Sequence, residues 1–139
     1  MSPLKLFSLI PLFAVLLIIY LVMMMSGVDF SAAAEPLFSA TLLSGAEWAP
    51  TISDILIILG VVLLYIEIFK STRTGTTSII EHGISMATFL AFLIIFLTIK
   101  DAGTPTFLIL TLMSLLDVVG GFTVTISAAR RDWGGGHAH

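Results

Sequence analysis

Four stretches of this sequence are apolar for long enough to cross a lipid bilayer, and no other property restricts its fold as much. They are Leu6 to Met25, Ile52 to Phe69 with Lys70 at its end, Ile79 to Ile99, and Pro105 to Ala129. A helix that crosses the hydrocarbon layer needs about 20 residues, with a range of roughly 17–25. Lipid offers no partner to a backbone amide or carbonyl, so each run must satisfy its own polar groups as a helix. The rest of the chain cannot compensate for so much apolar surface. Hydrophobic residues make up 58% of the 139 and charged residues 11%, with a mean hydropathy of +1.11. A soluble domain of this size could not cover that surface with polar groups.

The sequence therefore predicts an all-α membrane protein, an antiparallel bundle of four transmembrane helices within residues 1–133. Residues 134–139, "GGGHAH" at the end of "DWGGGHAH", read as a flexible tail. Short connections, "STRTGTTS" and "KDAGTP", make successive helices antiparallel neighbours. Ser78 to Glu81 fits a capping box that would start the third helix. The first run has features of a cleaved leader: Lys5 before it and "SAAAEP" after it. Its apolar stretch of about 20 residues exceeds the usual 7–15, so it reads as a span. Pro11 lies inside it and should bend it or mark where it enters the interface.

Direction follows from the basic residues. Lys5, Lys70, Arg73, Arg130 and Arg131 fall at the N-terminus, the second loop and the C-terminus, with only Lys100 on the other side. The first loop, Ser26 to Thr51, has no Lys or Arg but carries Asp29, Glu35 and Glu47. Both termini are then expected in the cytoplasm and the long first loop outside. Within that loop, Leu37, Phe38, Thr41 and Leu42 would share one face of a short helix after Pro36, and Trp48 is a typical interfacial anchor. The segment should lie on the outer membrane surface or cap the bundle. The alternative is a strand-like flap.

Polar residues inside the spans carry whatever chemistry the chain has. Asp117 stands near the middle of the fourth run, roughly 18 Å from either interface at about 1.5 Å per residue. An ionised carboxylate facing lipid there would cost at least about 2.5–3.5 kcal/mol. Ser114, Asp117, Gly121, Thr125 and Ala128 recur at spacings of three and four and form a stripe of small and polar residues. The stripe turns Asp117 into the bundle, with a hydroxyl such as Ser114 as its expected hydrogen-bond partner. It reads first as a packing residue and second as a proton or cation site. A separate polar cluster is expected nearer the cytoplasm, where Glu67, Lys70, Arg73, Glu81 and His82 flank the second turn. Counted from that turn, Glu67 and His82 fall at matching depth, so the two should meet. This cluster reads first as an interfacial charge network whose long side chains snorkel to water, and second as a proton relay. Gly60, Gly83, Ala87, Ala91 and Gly121 are candidates for close helix packing, with the third span central.

Several functions are disfavoured. Without cysteine there is no disulfide, thiolate metal site or iron–sulfur cluster. The net charge of −3 argues against a nucleic-acid partner. His137 and His139 are too few to make a strong metal site, and one intramembrane histidine, His82, is too few for bis-histidine haem. No nucleophile–base pair or phosphate loop is evident. No cofactor, metal or catalysis is therefore expected. The lipid bilayer is the certain partner.

The stretches "SDILIILGVVLLYIEIFKSTRTGTTSIIEHGIS" and "SLLDVVGGFTVTISAARRDW" resemble small, uncharacterised four-span inner-membrane proteins of Gram-negative bacteria. The resemblance covers spans two to four. It implies a bacterial inner-membrane location and supplies no activity. It does not extend to the small multidrug transporters, whose essential acid lies in the first span, where this chain has no charge after Lys5. The expected role is an accessory or scaffold subunit without catalysis, self-associating or docking on a larger membrane complex. The alternative is a small oligomeric proton-coupled transporter or channel using the intramembrane acids.

Overall fold

The computed structural model describes residues 3, 6, 9–72 and 76–136. Helix α1 covers Leu12–Met25, α2 Ile52–Lys70, α3 Thr76–Thr98 and α4 Pro105–Gly136, with a short 3-10 turn at Lys100–Ala102. Three of them, α2, α3 and α4, are long and apolar enough to cross a membrane. α1 is not. Its 14 residues rise about 21 Å, short of a hydrocarbon layer of roughly 30 Å.

The cause is Pro11. Proline has no amide hydrogen, and its ring clashes with the carbonyl four residues back, so an uninterrupted helix from Leu6 is lost. Pro11 instead sits at φ −69° and ψ 129° as the residue before α1, and Ile10 ends the preceding turn with its amide donating to Leu6 O at 3.2 Å. The bend expected of the first run is a full interruption.

The other helices start and stop for local reasons. Thr51 and Asp54 form a reciprocal capping box on α2: Asp54 Oδ2 accepts from the Thr51 amide at 2.9 Å, and Thr51 Oγ1 accepts from the Asp54 amide at 3.5 Å. Thr104 caps α4 by accepting from the Phe107 amide at 3.1 Å, and Pro105 takes the first helical position, where an amide hydrogen is not needed. The capping box expected at Ser78 is not a start, because α3 already runs from Thr76. α4 continues past Ala129 to Gly136, so part of the expected tail is helical. His137 and His139 lie outside the described residues.

The first loop takes the strand-like alternative. Ala40–Thr41 (β1) pairs antiparallel with Glu47–Trp48 (β2). Gly45 closes the turn at φ +88°, a conformation that costs glycine little, and Leu42 and Ala46 are joined by a 2.8 Å backbone hydrogen bond. Thr41 Oγ1 donates to Glu47 Oε1 across the pair, and Phe38 meets Trp48 edge to face. Cross-strand pairing of this kind competes successfully with a helix of only a few residues. Nearer α1, the Ser31 amide donates to Asp29 at 2.8 Å and holds that carboxyl below the ordinary carboxylate range.

The end of the bundle under this hairpin is aromatic. Tyr20 stacks on Phe30 at 4.2 Å and meets the edge of Phe107 at 4.9 Å, while Phe92 leans on Phe107 from α3 at 5.3 Å. Tyr20, Phe92 and Phe107 are fully buried. The one polar atom Tyr20 brings in is bonded to Thr104 Oγ1 at 2.7 Å. The central helix is α4, not α3. Of its apolar stretch 44% is buried, against 22% for α2 and for α3.

Gly60 is a packing position, since a Cβ there would lie 2.8 Å from Met113 Sδ. Gly83 and Ala87 are not: both are exposed, nothing lies within 4 Å of a Cβ at Gly83, and Ala91 is half-buried. α3 turns His82, Ser85, Thr88 and Phe92 inward instead. Lipid offers no hydrogen-bond partner, so the polar face of that helix takes precedence over its small-residue face.

Candidate functional site

The break at Pro11 leaves two backbone groups that no helix satisfies: the Ile10 carbonyl before it and the Leu12 amide after it. A buried ion pair from α2 takes both. Lys70 Nζ donates to Ile10 O at 3.0 Å, and the Leu12 amide donates to Glu67 Oε1 at 2.8 Å. Glu67 and Lys70 are themselves joined at 3.1 Å, and only 5% and 9% of their surfaces are exposed. The carboxylate sits at the N-terminus of α1, the positive end of the helix dipole, and the ammonium sits on a carbonyl. Each charge thereby gains a partner besides the other, which is what a buried pair needs to offset its loss of water.

Asp117 belongs to the same cluster. It is 4% exposed and within electrostatic reach of both Glu67 and Lys70. This corrects the sequence reading in two ways. Lys70 and Glu67 are not an interfacial network snorkelling to water, and they are not a cluster separate from Asp117. Counting residues from the second turn misplaced them because α2 and α4 are offset. Gly60 of α2 packs at Leu110 and Met113 of α4, and Ile68 packs at Gly120, so the last turn of α2 lies beside the middle of α4.

The expected Asp117–Ser114 hydrogen bond is not made. Ser114 Oγ is buried without a partner, and among the described residues no hydrogen bond to the Asp117 carboxyl is formed. Both side chains share the buried face of α4, one turn apart, and neither bonds the other.

His82 is tied to the cluster at one remove. It forms no hydrogen bond with Glu67. Thr125 Oγ1 donates to Ser71 O at 3.0 Å, so its single hydrogen is committed, and the 2.8 Å contact with His82 Nε2 has the imidazole as donor. Ser71 Oγ in turn donates to Glu67 O at 3.1 Å. The chain from His82 through Thr125 and Ser71 ends on the Glu67 backbone carbonyl, so the imidazole and the Glu67 carboxylate that the sequence placed in contact are not joined by hydrogen bonds.

Gly121 makes this chain of hydrogen bonds possible. A Cβ at that position would lie 2.8 Å from Ser71 Oγ and 3.1 Å from His82 Cε1. The imidazole also stacks on Phe122 at 4.6 Å. Glu81 is half-exposed and stands outside the hydrogen-bonded chain, and Arg73 lies outside the described residues. Sequence reasoning missed Ser71, the Ile10 carbonyl and the Leu12 amide. The signal was present in Pro11, because a proline that interrupts an apolar run leaves backbone groups at the break without helical partners.

Among the cavities that open at the hairpin end are one of about 290 Å³ and one of about 430 Å³. Thr51, Ser53 and Asp54 border the first, and Asp29, Asp101 and Thr104 the second. Fully buried Phe107 and Leu110 lie between them and Asp117 along α4. Among the described residues no three His, Asp or Glu side chains converge in a way that could hold a metal ion. The cluster of Glu67, Lys70 and Asp117 holds two acids and one base, groups whose chemistry is the gain and loss of protons. The chain matches no family model, no curated protein and no solved structure.

Proposed function

We propose that this chain is a small proton-coupled transporter or channel of a bacterial inner membrane, working as an oligomer, with Asp117 as its loading residue and no catalysis of its own. The observation that carries this reading is the interrupted first helix, held by the buried Glu67–Lys70 pair beside a second acid, Asp117. Broken helices with charged partners at membrane depth mark ion and substrate sites in transporters, and intramembrane acids have a functional role by default. In this reading the segment before Pro11 completes the first of four spans, and both termini face the cytoplasm, in keeping with the Lys and Arg bias. Four helices enclose little space, so a continuous path requires neighbouring copies.

The test is reconstitution in liposomes carrying a pH-sensitive dye, with a potassium diffusion potential imposed. The wild-type chain should conduct protons above empty liposomes, and Asp117→Asn should abolish that flux while it keeps its fold and oligomeric state. Flux equal to that of empty liposomes, or unchanged in Asp117→Asn, would sink the reading.

One observation favours the accessory or scaffold subunit as second reading. The hairpin presents Leu42, Leu43, Phe38 and Trp48 outward, with Leu43 fully exposed at its tip. Such a surface suits docking on a larger membrane complex. A chain that co-migrates with another membrane protein, and loses it on Leu43→Glu, would support this reading.

A further inference from the structure

The cavity of about 290 Å³ at the hairpin end has the makings of a small binding site. It lies where α2 and α4 begin, and the first loop borders it with Phe30 and Ala32. That wall is fixed before anything binds. The Phe30 ring is stacked on Tyr20, and the Phe30 carbonyl accepts from Ser53 Oγ at 2.9 Å. Ile57 of α2 and Ile109 of α4 add apolar lining. Two polar groups in the lining are unused. Asp54 gives one carboxyl oxygen, Oδ2, to the cap of α2, and its Oδ1 accepts no hydrogen bond among the described residues. Thr106 is only 4% exposed, yet among the described residues its hydroxyl makes no hydrogen bond. A hydroxyl so far withdrawn from solvent and left without a partner calls for a ligand or a water. We propose that this cavity binds a primary ammonium group carried on a short apolar body, with Asp54 and Thr106 accepting its hydrogens.

Charge selects the ligand. Among the described residues no basic side chain borders this cavity. The neighbouring cavity of about 430 Å³ shares Phe30, Ser31 and Pro105 with it and adds the carboxylates of Asp29 and Asp101. Lys100 sits beside Asp101 in the 3-10 turn but lines neither cavity. The field here is negative and draws cations. An anion would have only the two helix N-termini, and each already carries its cap, α2 from Thr51 and Asp54 and α4 from Thr104. A divalent ion fits poorly, because one carboxylate with one unused oxygen borders the cavity. An alkylammonium matches on each count. Its N–H groups donate to Asp54 Oδ1 and Thr106 Oγ1, and its chain lies against Phe30, Ile57 and Ile109. A quaternary ammonium has the charge but no hydrogen to give, so it leaves the Thr106 oxygen unpaired. The volume keeps the body short, since small-molecule sites span roughly 300–1,000 Å³. Two sources carry this group: a free alkylamine, and the ethanolamine headgroup of a membrane lipid, which sits at the level where spanning helices begin. Fully buried Phe107 and Leu110 separate the site from Asp117, so it stands independently of the transport reading.

The probe is butylammonium at about pH 7, where an alkylamine, like a lysine side chain of pKa about 10.4, is charged. Its binding is titrated by saturation-transfer NMR on the full chain in phosphatidylcholine nanodiscs, a lipid without a primary amine, with empty nanodiscs as the blank. The wild-type chain should bind it saturably, and tetramethylammonium at least about tenfold more weakly. Thr106→Val keeps the branched shape and removes the hydroxyl. It should weaken butylammonium about tenfold, as expected for loss of one hydrogen bond to a charged donor. Asp54→Asn keeps an oxygen for the Thr51 amide but removes the charge, and should weaken binding further. Ala32→Phe fills the cavity from an exposed loop position and should abolish binding. A wild-type signal no greater than that of empty nanodiscs overturns the site. So does equal affinity for tetramethylammonium, or wild-type affinity in Thr106→Val. Should Asp54→Asn not fold, Ala32→Phe takes its place, and undiminished binding there overturns the site. Nanodiscs containing phosphatidylethanolamine then separate the two sources. A raised apparent Kd for butylammonium in them upholds the site as one for the lipid headgroup, and an unchanged Kd upholds it as one for a soluble amine.

Discussion

The two ends of the bundle are held together by different physics. Under the hairpin, Tyr20, Phe30, Phe92 and Phe107 interlock as rings, and one hydroxyl pair, Tyr20 with Thr104, satisfies the only polar atom Tyr20 introduces. At the level of Glu67, packing is secondary and almost every contact replaces a hydrogen bond that water would otherwise make. Lipid tails are as apolar as the rings, so the aromatic end gains little from leaving lipid and depends on the fit of its surfaces. The polar end has no such alternative, because a buried charge without its partner finds nothing in hydrocarbon. An error should therefore be tolerated at the first end and severe at the second.

The largest effect should come from Lys70→Met. It leaves the Glu67 carboxylate buried without its cation and the Ile10 carbonyl without its donor, a loss of about 3–5 kcal/mol for one partner of a buried pair. Thermal denaturation in detergent measures it. The double variant Glu67→Gln with Lys70→Met should recover much of the loss, because the glutamine amide oxygen still accepts from the Leu12 amide. A double variant as unstable as the two single losses added together would show that the pair is not coupled.

Phe107→Ala should cost less. The unfolded helices remain in lipid, so the transfer contribution largely cancels and the cavity contribution remains. At about 24 cal/mol per Å³, the loss of roughly 100 Å³ costs about 2 kcal/mol. A loss as large as that of Lys70→Met would erase the distinction between the ends.

Gly121→Ala presses a methyl group against Ser71 and His82 and should fall toward the lower end of the roughly 1–3 kcal/mol seen for overpacking, since the Ser71 hydroxyl can rotate away. Its signature is a displaced His82 imidazole resonance. Gly83→Ala has open space inside α3 and should leave that resonance unchanged while stability rises by at most about 0.5–1 kcal/mol. Thr125→Val, which breaks the link between His82 and Ser71, should cost about 1 kcal/mol. Exchange of the His82 ring proton should accelerate in that variant while the Glu67–Lys70 pair stays intact.

The sequence by itself determined the solvent, the helices and the punctuation. Apolar runs of span length bounded α2, α3 and α4 to within a few residues, except where α4 runs on to Gly136. Periodicity of three and four turned Asp117 inward, and Pro11 announced a defect in the first run. The hairpin was legible only as an alternative, since Gly45 fixes a turn without saying what it joins. What the tertiary structure alone decided is which helix lies beside which, and at what offset. Periodicity gives the direction of a side chain around its own axis but carries no information about its height against a neighbour. Gly60 seated on Met113 slides α2 along α4 until Lys70 reaches the depth of Asp117. Only then do two clusters that stand apart along the chain become one, closed over the Ile10 carbonyl at the break before α1.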